Sequence, residues 1–525
     1  MIRHRLFETM QKSKLILILL AVLPLAYFSY LNRNFQLDDG LIYQRYVRNF
    51  LEGRGLVYNP GEYFNALTSP LFSYLNIALS YLTGDTQIAA MLSSTVAMGC
   101  ALVALYAVFQ RYEQSSFLIV GAVLMVCLPY FYRTYGMEST LFIALLAACM
   151  YFFEQHNCFR LGIACALLLL TRGEGIFMIL ALSIEHFRRG RAFPALGYFV
   201  LPALILGSSY LFNKLYYGNF LPHTAGAKIA HGQSGLWGER LAFASIAYHY
   251  AWFFGRESLL VLGILILAVG GFVRLYGTGL NRIIGIFLLA YTAFYLSLNI
   301  PNYHWYYAPY YAFGSFYAGA GAALIAQRIT RLNSGVWRNS VRLLAVALLL
   351  VLVQRAGWIT HTALAHSGPP PHYQRIALWL RGNTPTDAKI ALAEIGTVGF
   401  YSERYIIDIL GLTNPLNADF IAAGRLDEWL NHYSPDYVLM HQPLRRYEFG
   451  IKTALECGSL VEDERFAFAG FKLYRRASSR LQCAIYHPRV VGSLKTNSPI
   501  AYSLSGCSFS AHCSEVITCA IPFSV

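Results

Sequence analysis

Charge is what this sequence has least of. Asp, Glu, Lys and Arg make up 13% of its 525 residues, where an ordinary soluble protein carries roughly a quarter. That scarcity excludes a typical soluble globule. With 56% hydrophobic residues and a mean hydropathy of +0.44, the composition belongs to an α-helical polytopic membrane protein. Acids are scarcer than bases, 27 against 41, and the formal charge is +14. The excess does not imply a nucleic-acid partner. Lys and Arg fall mostly in short segments between apolar runs, the distribution that orients membrane helices.

Other signatures are missing as well. The ten Cys have no zinc-like spacing. Cys100, Cys127, Cys149, Cys158 and Cys165 lie in or beside apolar runs and read as packing residues. Cys457, Cys483, Cys507, Cys513 and Cys519 fall near the C-terminus, where disulfides are compatible with an external location but no pairing can be assigned. No P-loop, dinucleotide fingerprint or internal repeat occurs. The basic start MIRHRLFETMQKSK precedes an apolar run without a small-residue cleavage motif. It reads as an uncleaved first helix with its N-terminus in the cytoplasm.

What is there is a series of apolar runs. They predict about eleven transmembrane helices, at 15–31, 86–109, 116–132, 139–153, 160–170, 176–187, 193–213, 257–274, 282–299, 304–326 and 341–358. The runs 160–170 and 176–187 are short, and read either as two helices or as one broken helix. The run 70–83 is also short. If it lies at the interface, Arg111, Arg160, Arg188, Arg189, Arg191, Arg274, Arg282 and the 328–342 arginines all share the cytoplasmic side with the N-terminus. If it spans, nearly all of them move outside. The positive-inside rule favours the first arrangement. Segments 32–85, 133–139, 171–175, 213–257, 300–303 and everything after about 359 are then external.

The external stretch 36–70 is the most distinctive. It opens on Asp38-Asp39, two carboxylates at a membrane boundary, where charge is costly unless it meets water, a cation or a substrate. An amphipathic segment follows, with Ile42, Tyr46, Val47 and Phe50 on one face. Then come Arg45-Tyr46, Asn49, Gly53, Gly55-Leu56-Val57-Tyr58-Asn59-Pro60-Gly61-Glu62 and Thr68-Ser69-Pro70-Leu71. This pattern resembles the first external loop of the AftB-like (arabinofuranosyltransferase-like) membrane glycosyltransferases of the GT-C class. Gly40 stands where that family usually has Ala, and Asn65-Ala66-Leu67 replaces its more usual Gly-Tyr.

The resemblance extends to shorter segments. Gly136-Met137-Glu138-Ser139 resembles G-[LM]-E-[TS]. Thr171-Arg172-Gly173-Glu174-Gly175 resembles T-R-P-E-G with Gly173 for Pro. Tyr217 through Lys228 resembles Y-G-D-x-x-P-N-T-x-x-x-K, with Asn219 for Asp and His223 for Asn. These segments and the first loop supply the candidate substrate-binding residues Arg45, Glu138, Arg172, Glu174, His223 and Lys228, and the aromatic cluster 302–307 that caps a span on the outer face adds His304. Each has a bland alternative. Glu138 could simply cap a helix, Arg172 and Glu174 could be a structural ion pair, and His304 could sit in an aromatic interfacial belt.

After Gly368-Pro369-Pro370-Pro371 the character changes. Residues 367–478 predict a small external α/β domain. Its helices are 372–381 and 425–433, and its strands 389–394, 405–410, 436–441 and 468–474. Glu394 through Ser402 and Asp408 through Pro415 resemble further segments of the same family, with Glu394 for Asp. The membrane module thus covers 1–366, with its first external loop at 32–85. The tail 479–525 reads as divergent or disordered.

Glycosyl transfer needs a base for the acceptor hydroxyl and positive charge for the leaving phosphate. Asp38 and Asp39 are equally placed as base. Neighbouring side chains diverge, so one can face the acceptor while the other anchors the loop or binds a cation. A divalent metal on Asp38 and Asp39 is compatible with the sequence and not required by it. The resemblance implies a polyprenyl-phosphate-linked sugar donor, an envelope glycan or lipid acceptor, and an inverting reaction on the outer face of a bacterial cytoplasmic membrane. A multi-pass transporter or flippase is the competing class, but it would more naturally show paired repeats and mid-membrane acids. A silent envelope-assembly protein on the same scaffold is the third reading.

Overall fold

The computed structural model describes residues 18–192, 196–237, 242–244, 258–298, 303–331, 335–365 and 372–477. The basic N-terminus, Asn302, the 368–371 boundary and the tail from 479 lie outside the described residues.

Each apolar run carries a helix. In chain order they are α1 (Leu23–Leu31), the loop helices α2 (Asp38–Leu51) and α3 (Pro70–Thr83), then α4 (Thr86–Phe109), α5 (Ser115–Val126), α6 (Ser139–Glu154), α7 (Cys158–Thr171), α8 (Ile176–Arg188), α9 (Gly197–Tyr217), α10 (Thr224–Ser234), α11 (Ser258–Arg274), α12 (Gly279–Leu298), α13 (Ala308–Thr330) and α14 (Gly335–Leu364). Among the described residues α4, α12 and α14 are long and apolar enough to cross a membrane, and α1, α5, α6, α7 and α11 are shorter apolar helices. The run 116–132 is not continuous. Helix α5 ends at Val126 and a four-residue turn restarts at Pro129, because proline has no amide to continue the ladder. The runs 160–170 and 176–187 form two helices, α7 and α8, separated by a 3-10 turn at Gly173–Gly175.

Small residues bring the helices together, as membrane helix packing requires. Helix α13 passes so close to α11 that a Cβ on Gly271 would meet the Tyr317 carbonyl at 1.8 Å, and one on Gly321 the Leu267 carbonyl at 1.8 Å. Cys127 and Cys149 are buried, whereas Cys100 is exposed on α4.

Two ionic clusters occupy opposite ends of the same helices. At the C-terminal ends of α6 and α8 and the N-terminal end of α12, buried Glu185 binds Arg188, Arg189 and Arg282 at 2.7–2.9 Å, and Arg189 also binds Glu154 at 2.7 Å. At the other end of α6 and α8 lie Glu138, Arg172 and Glu174, joined by Tyr295 from the far half of α12.

The C-terminal unit opens with α15 (His372–Asn383). It then runs β1 (Lys389–Leu392), α16 (Ile395–Ser402), β2 (Tyr405–Asp408), α17 (Asn417–Ala422), α18 (Glu428–Tyr433), β3 (Tyr437–His441), β4 (Leu460–Glu462) and β5 (Phe471–Arg476). The sheet order is β2-β1-β3-β5-β4. β1 is parallel to β2 and β3, and β5 is antiparallel to β3 and β4. The expected strand 389–394 stops at Leu392, since Glu394 turns the chain into α16. That helix and the three-residue β4 carry no periodic signal long enough to be read.

The unit is docked on the first loop by polar contacts. Arg45, buried in α2, donates to the carbonyls of Tyr58, Gly399 and Arg404 and to Asn59 Oδ1. Asn59 bonds both backbone polar groups of Ile406, and the Tyr58 hydroxyl donates to the Ile395 carbonyl at 2.7 Å. The expected substrate contact Arg45 therefore holds loop and sheet together.

Candidate active site

The site begins where α2 begins. Leu37 is extended, and Asp38 and Asp39 occupy the first turn of the helix, where the helix dipole favours acids. Successive helical residues point about 100° apart, and the two carboxylates part company accordingly. Asp38 turns to the C-terminal unit and accepts the amides of Gly396 at 3.1 Å and Thr397 at 2.7 Å, at the start of α16. Gly396 is needed there, because a Cβ would meet the Asp38 carbonyl oxygen at 1.8 Å.

Asp39 turns the other way, into a cavity of about 50 Å³ that it lines with Glu138, Arg172, Thr224, Lys228, Trp305 and Leu412. Burial pushes its carboxyl up to about 7, the charge of Asp38 adds to the effect, and Lys228 opposes it. Burial and the Glu394 charge raise Asp38 to about 6, against the two amides. Asp39 is thus the acid in the cavity whose proton affinity is matched to neutral pH, as a general base requires.

Arg172 reaches the cavity from the break after α7. Its guanidinium binds Glu138 at 2.5 Å, Glu174 at 2.8 Å and the Tyr295 hydroxyl at 2.9 Å. Burial alone would raise the Glu174 carboxyl, but Arg172 holds it down at about 2. Lys228 is different. It has no carboxylate partner among the described residues, and its ammonium lies over the Tyr306 ring at 5.5 Å. Thr224, one helical turn earlier on α10, has a buried hydroxyl oxygen with no hydrogen-bond partner among the described residues, which leaves it available to a ligand oxygen.

The remaining candidates sit elsewhere. His223 stacks on Phe64 with ring centroids 4.2 Å apart, outside the cavity lining. His304 is buried beside the Arg133 carbonyl, its Nε2 at 3.3 Å. Among the described residues no three of His, Cys, Asp and Glu come together as a metal site.

Sequence reasoning passed over Thr224, Tyr295, Trp305 and Leu412. Tyr295 reads as one more aromatic in an apolar run, and Trp305 as an interfacial anchor. The available signals were the family-like segments 217–228, which holds Thr224, and 408–415, which holds Leu412, with Thr224 and Lys228 at i and i+4 on one helix face.

Comparison with known proteins follows this geometry. Residues 366–486 match a family model described as a domain of unknown function, DUF8728. Over 236 residues the chain is 28% identical to the terminal beta-(1->2)-arabinofuranosyltransferase of Mycobacterium tuberculosis. That alignment spans 40% of this chain and 37% of the relative. ArnT from Cupriavidus metallidurans bound to undecaprenyl phosphate superposes with a TM-score of 0.58 at 13% identity, covering 88% of this chain and 98% of that one. Its apo state gives 0.52 at 12% identity, covering 87% and 97%. The fold is that of ArnT, and the arabinofuranosyltransferase resemblance read in the sequence is met by an arabinofuranosyltransferase similar over part of the chain.

Proposed function

We propose that this chain transfers a sugar from a polyprenyl-phosphate donor to a hydroxyl of a cell-envelope glycan or lipid, on the outer face of the cytoplasmic membrane. The observation that carries the reading is one cavity lined by both Asp39 and Lys228. Asp39 takes the proton of the acceptor hydroxyl as its oxygen bonds to the anomeric carbon. The bond from that carbon to the phosphate oxygen breaks, and the polyprenyl phosphate leaves with an additional negative charge. Lys228 lies where that charge develops, in a site of low dielectric where a fixed cation is worth most. Arg172 orders Glu138 and Glu174 around the same space. Attack from the Asp39 side on a donor held at Lys228 inverts the anomeric centre.

The outward orientation rests on the two ionic clusters. The arginine-rich end of α6, α8 and α12 takes the cytoplasmic side by the positive-inside rule, and the Asp39 cavity lies at the opposite end. The C-terminal unit, docked on the first loop, is then external.

Purified protein in lipid nanodiscs tests the reading. A panel of polyprenyl-phosphate sugars is offered together with envelope glycans and lipids, guided by mass spectrometry of lipid-linked sugars that accumulate in a deletion strain. Transfer that depends on Asp39 is the expected result. Absence of transfer and of donor cleavage across the panel, with no lipid-linked sugar accumulating in the strain, overturns it.

A further inference from the structure

Two observations outside the catalytic residues converge on α10. Thr224 and Lys228 line the cavity, and His231, three residues further on, lies within one turn of the same helix. His231 is 4% exposed, and its Nε2 lies 2.7 Å from the carbonyl oxygen of Leu410. A carbonyl only accepts, so Nε2 carries the proton. On its other side the imidazole stacks on Trp237 at 4.1 Å, and Trp237 stacks on Tyr447 of the C-terminal unit at 5.4 Å.

Leu410 belongs to a tightly organised loop. Buried Asp408 accepts the amides of Leu410, Leu412 and Thr413. The Asn417 side chain donates to the Asp408 carbonyl at 2.6 Å. These hydrogen bonds tie the loop into one unit, and Leu412 on it lines the cavity that holds Asp39 and Lys228.

We infer that His231 is a positioning residue whose hydrogen bond to Leu410, backed by the Trp237–Tyr447 stack, clasps the Asp408 loop over the cavity as a roof that keeps water from the donor. The inference rests on the transferase reading above. An electrophilic anomeric carbon beside a general base is open to attack by water as well as by the acceptor. In that side reaction water supplies the oxygen bonded to the anomeric carbon, its proton goes to Asp39, and free sugar and polyprenyl phosphate result. Closing the site suppresses it.

The test is the partition of donor between transfer and hydrolysis in the full-length protein in nanodiscs. His231→Phe keeps a ring for the Trp237 stack and removes the donor to Leu410. It is expected to raise the hydrolysis-to-transfer ratio at least ~10-fold. His231→Gln, whose side-chain amide can donate to the same carbonyl, should return most of the way to wild type. A ratio unchanged in His231→Phe overturns the inference, as does an equal loss of both reactions that Gln does not rescue. A second readout is independent of transferase activity. Amide hydrogen exchange at Leu412 and Thr413 should accelerate in His231→Phe and not in His231→Gln, and unaltered exchange counts against the clasp. Failure of the wild-type protein to cleave any donor bears on the transferase reading, while the exchange result still decides the clasp.

Discussion

Asp38 accepts the amide of Thr397 at 2.7 Å across 359 residues of sequence, and in doing so it fixes its neighbour Asp39 in the cavity. The two acids, equivalent in the sequence, have separate tasks. One joins the first loop to the C-terminal unit, and the other lines the cavity.

Asp38→Asn should therefore weaken docking more than chemistry. The amide retains one acceptor for two donors, and a hydrogen bond to a charged group is worth about 1.5–3 kcal/mol. The expected outcome is faster proteolysis or hydrogen exchange in 395–402, with a loss of transfer of ~10-fold. Gly396→Ala should reproduce it, because its Cβ collides with Asp38. A rigid, fully protected 395–402 in both variants contradicts the assignment.

The pH dependence follows from Asp39. Its carboxyl titrates at about 7 in the folded protein, so the rate should rise with pH through an inflection near 7 in the free enzyme as the base ionises. Stability runs the opposite way. Between the unfolded value near 4 and about 7, the folded state binds more protons than the unfolded one, so this group makes stability fall as pH rises. Asp39→Asn should raise Tm relative to wild type more at pH 8 than at pH 5, as a thermal-shift series in nanodiscs would measure. An equal Tm difference at both pH values removes Asp39 as the buried titrating acid.

Of the two cations that line the cavity, Lys228 is the one without a carboxylate partner among the described residues, and its loss should appear in the chemical step. Lys228→Met is expected to lower kcat by about 10²–10³, with Lys228→Arg recovering part of it. An unchanged kcat in Lys228→Met would take the residue out of the transition state.

Arg172 carries two carboxylates. Arg172→Met strands Glu138 and Glu174 in a buried site, a loss of about 3–5 kcal/mol when one partner of a buried pair is removed. Adding Glu138→Gln and Glu174→Gln in the same chain should restore much of the Tm but not the activity. Recovery of both would make the cluster purely structural.

Much of this was legible because it is local. The members of the Asp-Asp start of the loop, and likewise those of the Arg172–Glu174 break, lie within a few residues of one another, and β1, β2 and β3 are short apolar runs. Long-range relations were not. Nothing near Asp38 announces Thr397, and nothing in the Arg45 pattern announces that its donors meet carbonyls of Gly399 and Arg404. Such pairings are set by how the C-terminal unit docks. Tyr295 was hidden for a different reason, since an aromatic in an apolar run looks the same whether it faces lipid or an arginine.

Topology has its own check. Arg191→Cys and Ala422→Cys, each in a background without other reactive cysteines, should label from the inside and the outside of intact cells respectively. Labelling of position 191 from outside inverts the account of both faces.

The central claim is that Asp39 is the base, and the most direct measurement compares Asp39→Asn with wild type in purified protein. A positioned carboxylate base contributes roughly 10²–10⁴-fold. Asp39→Asn should lose transfer by that factor while binding of the polyprenyl-phosphate donor is retained. Transfer by Asp39→Asn at the wild-type rate would contradict the account.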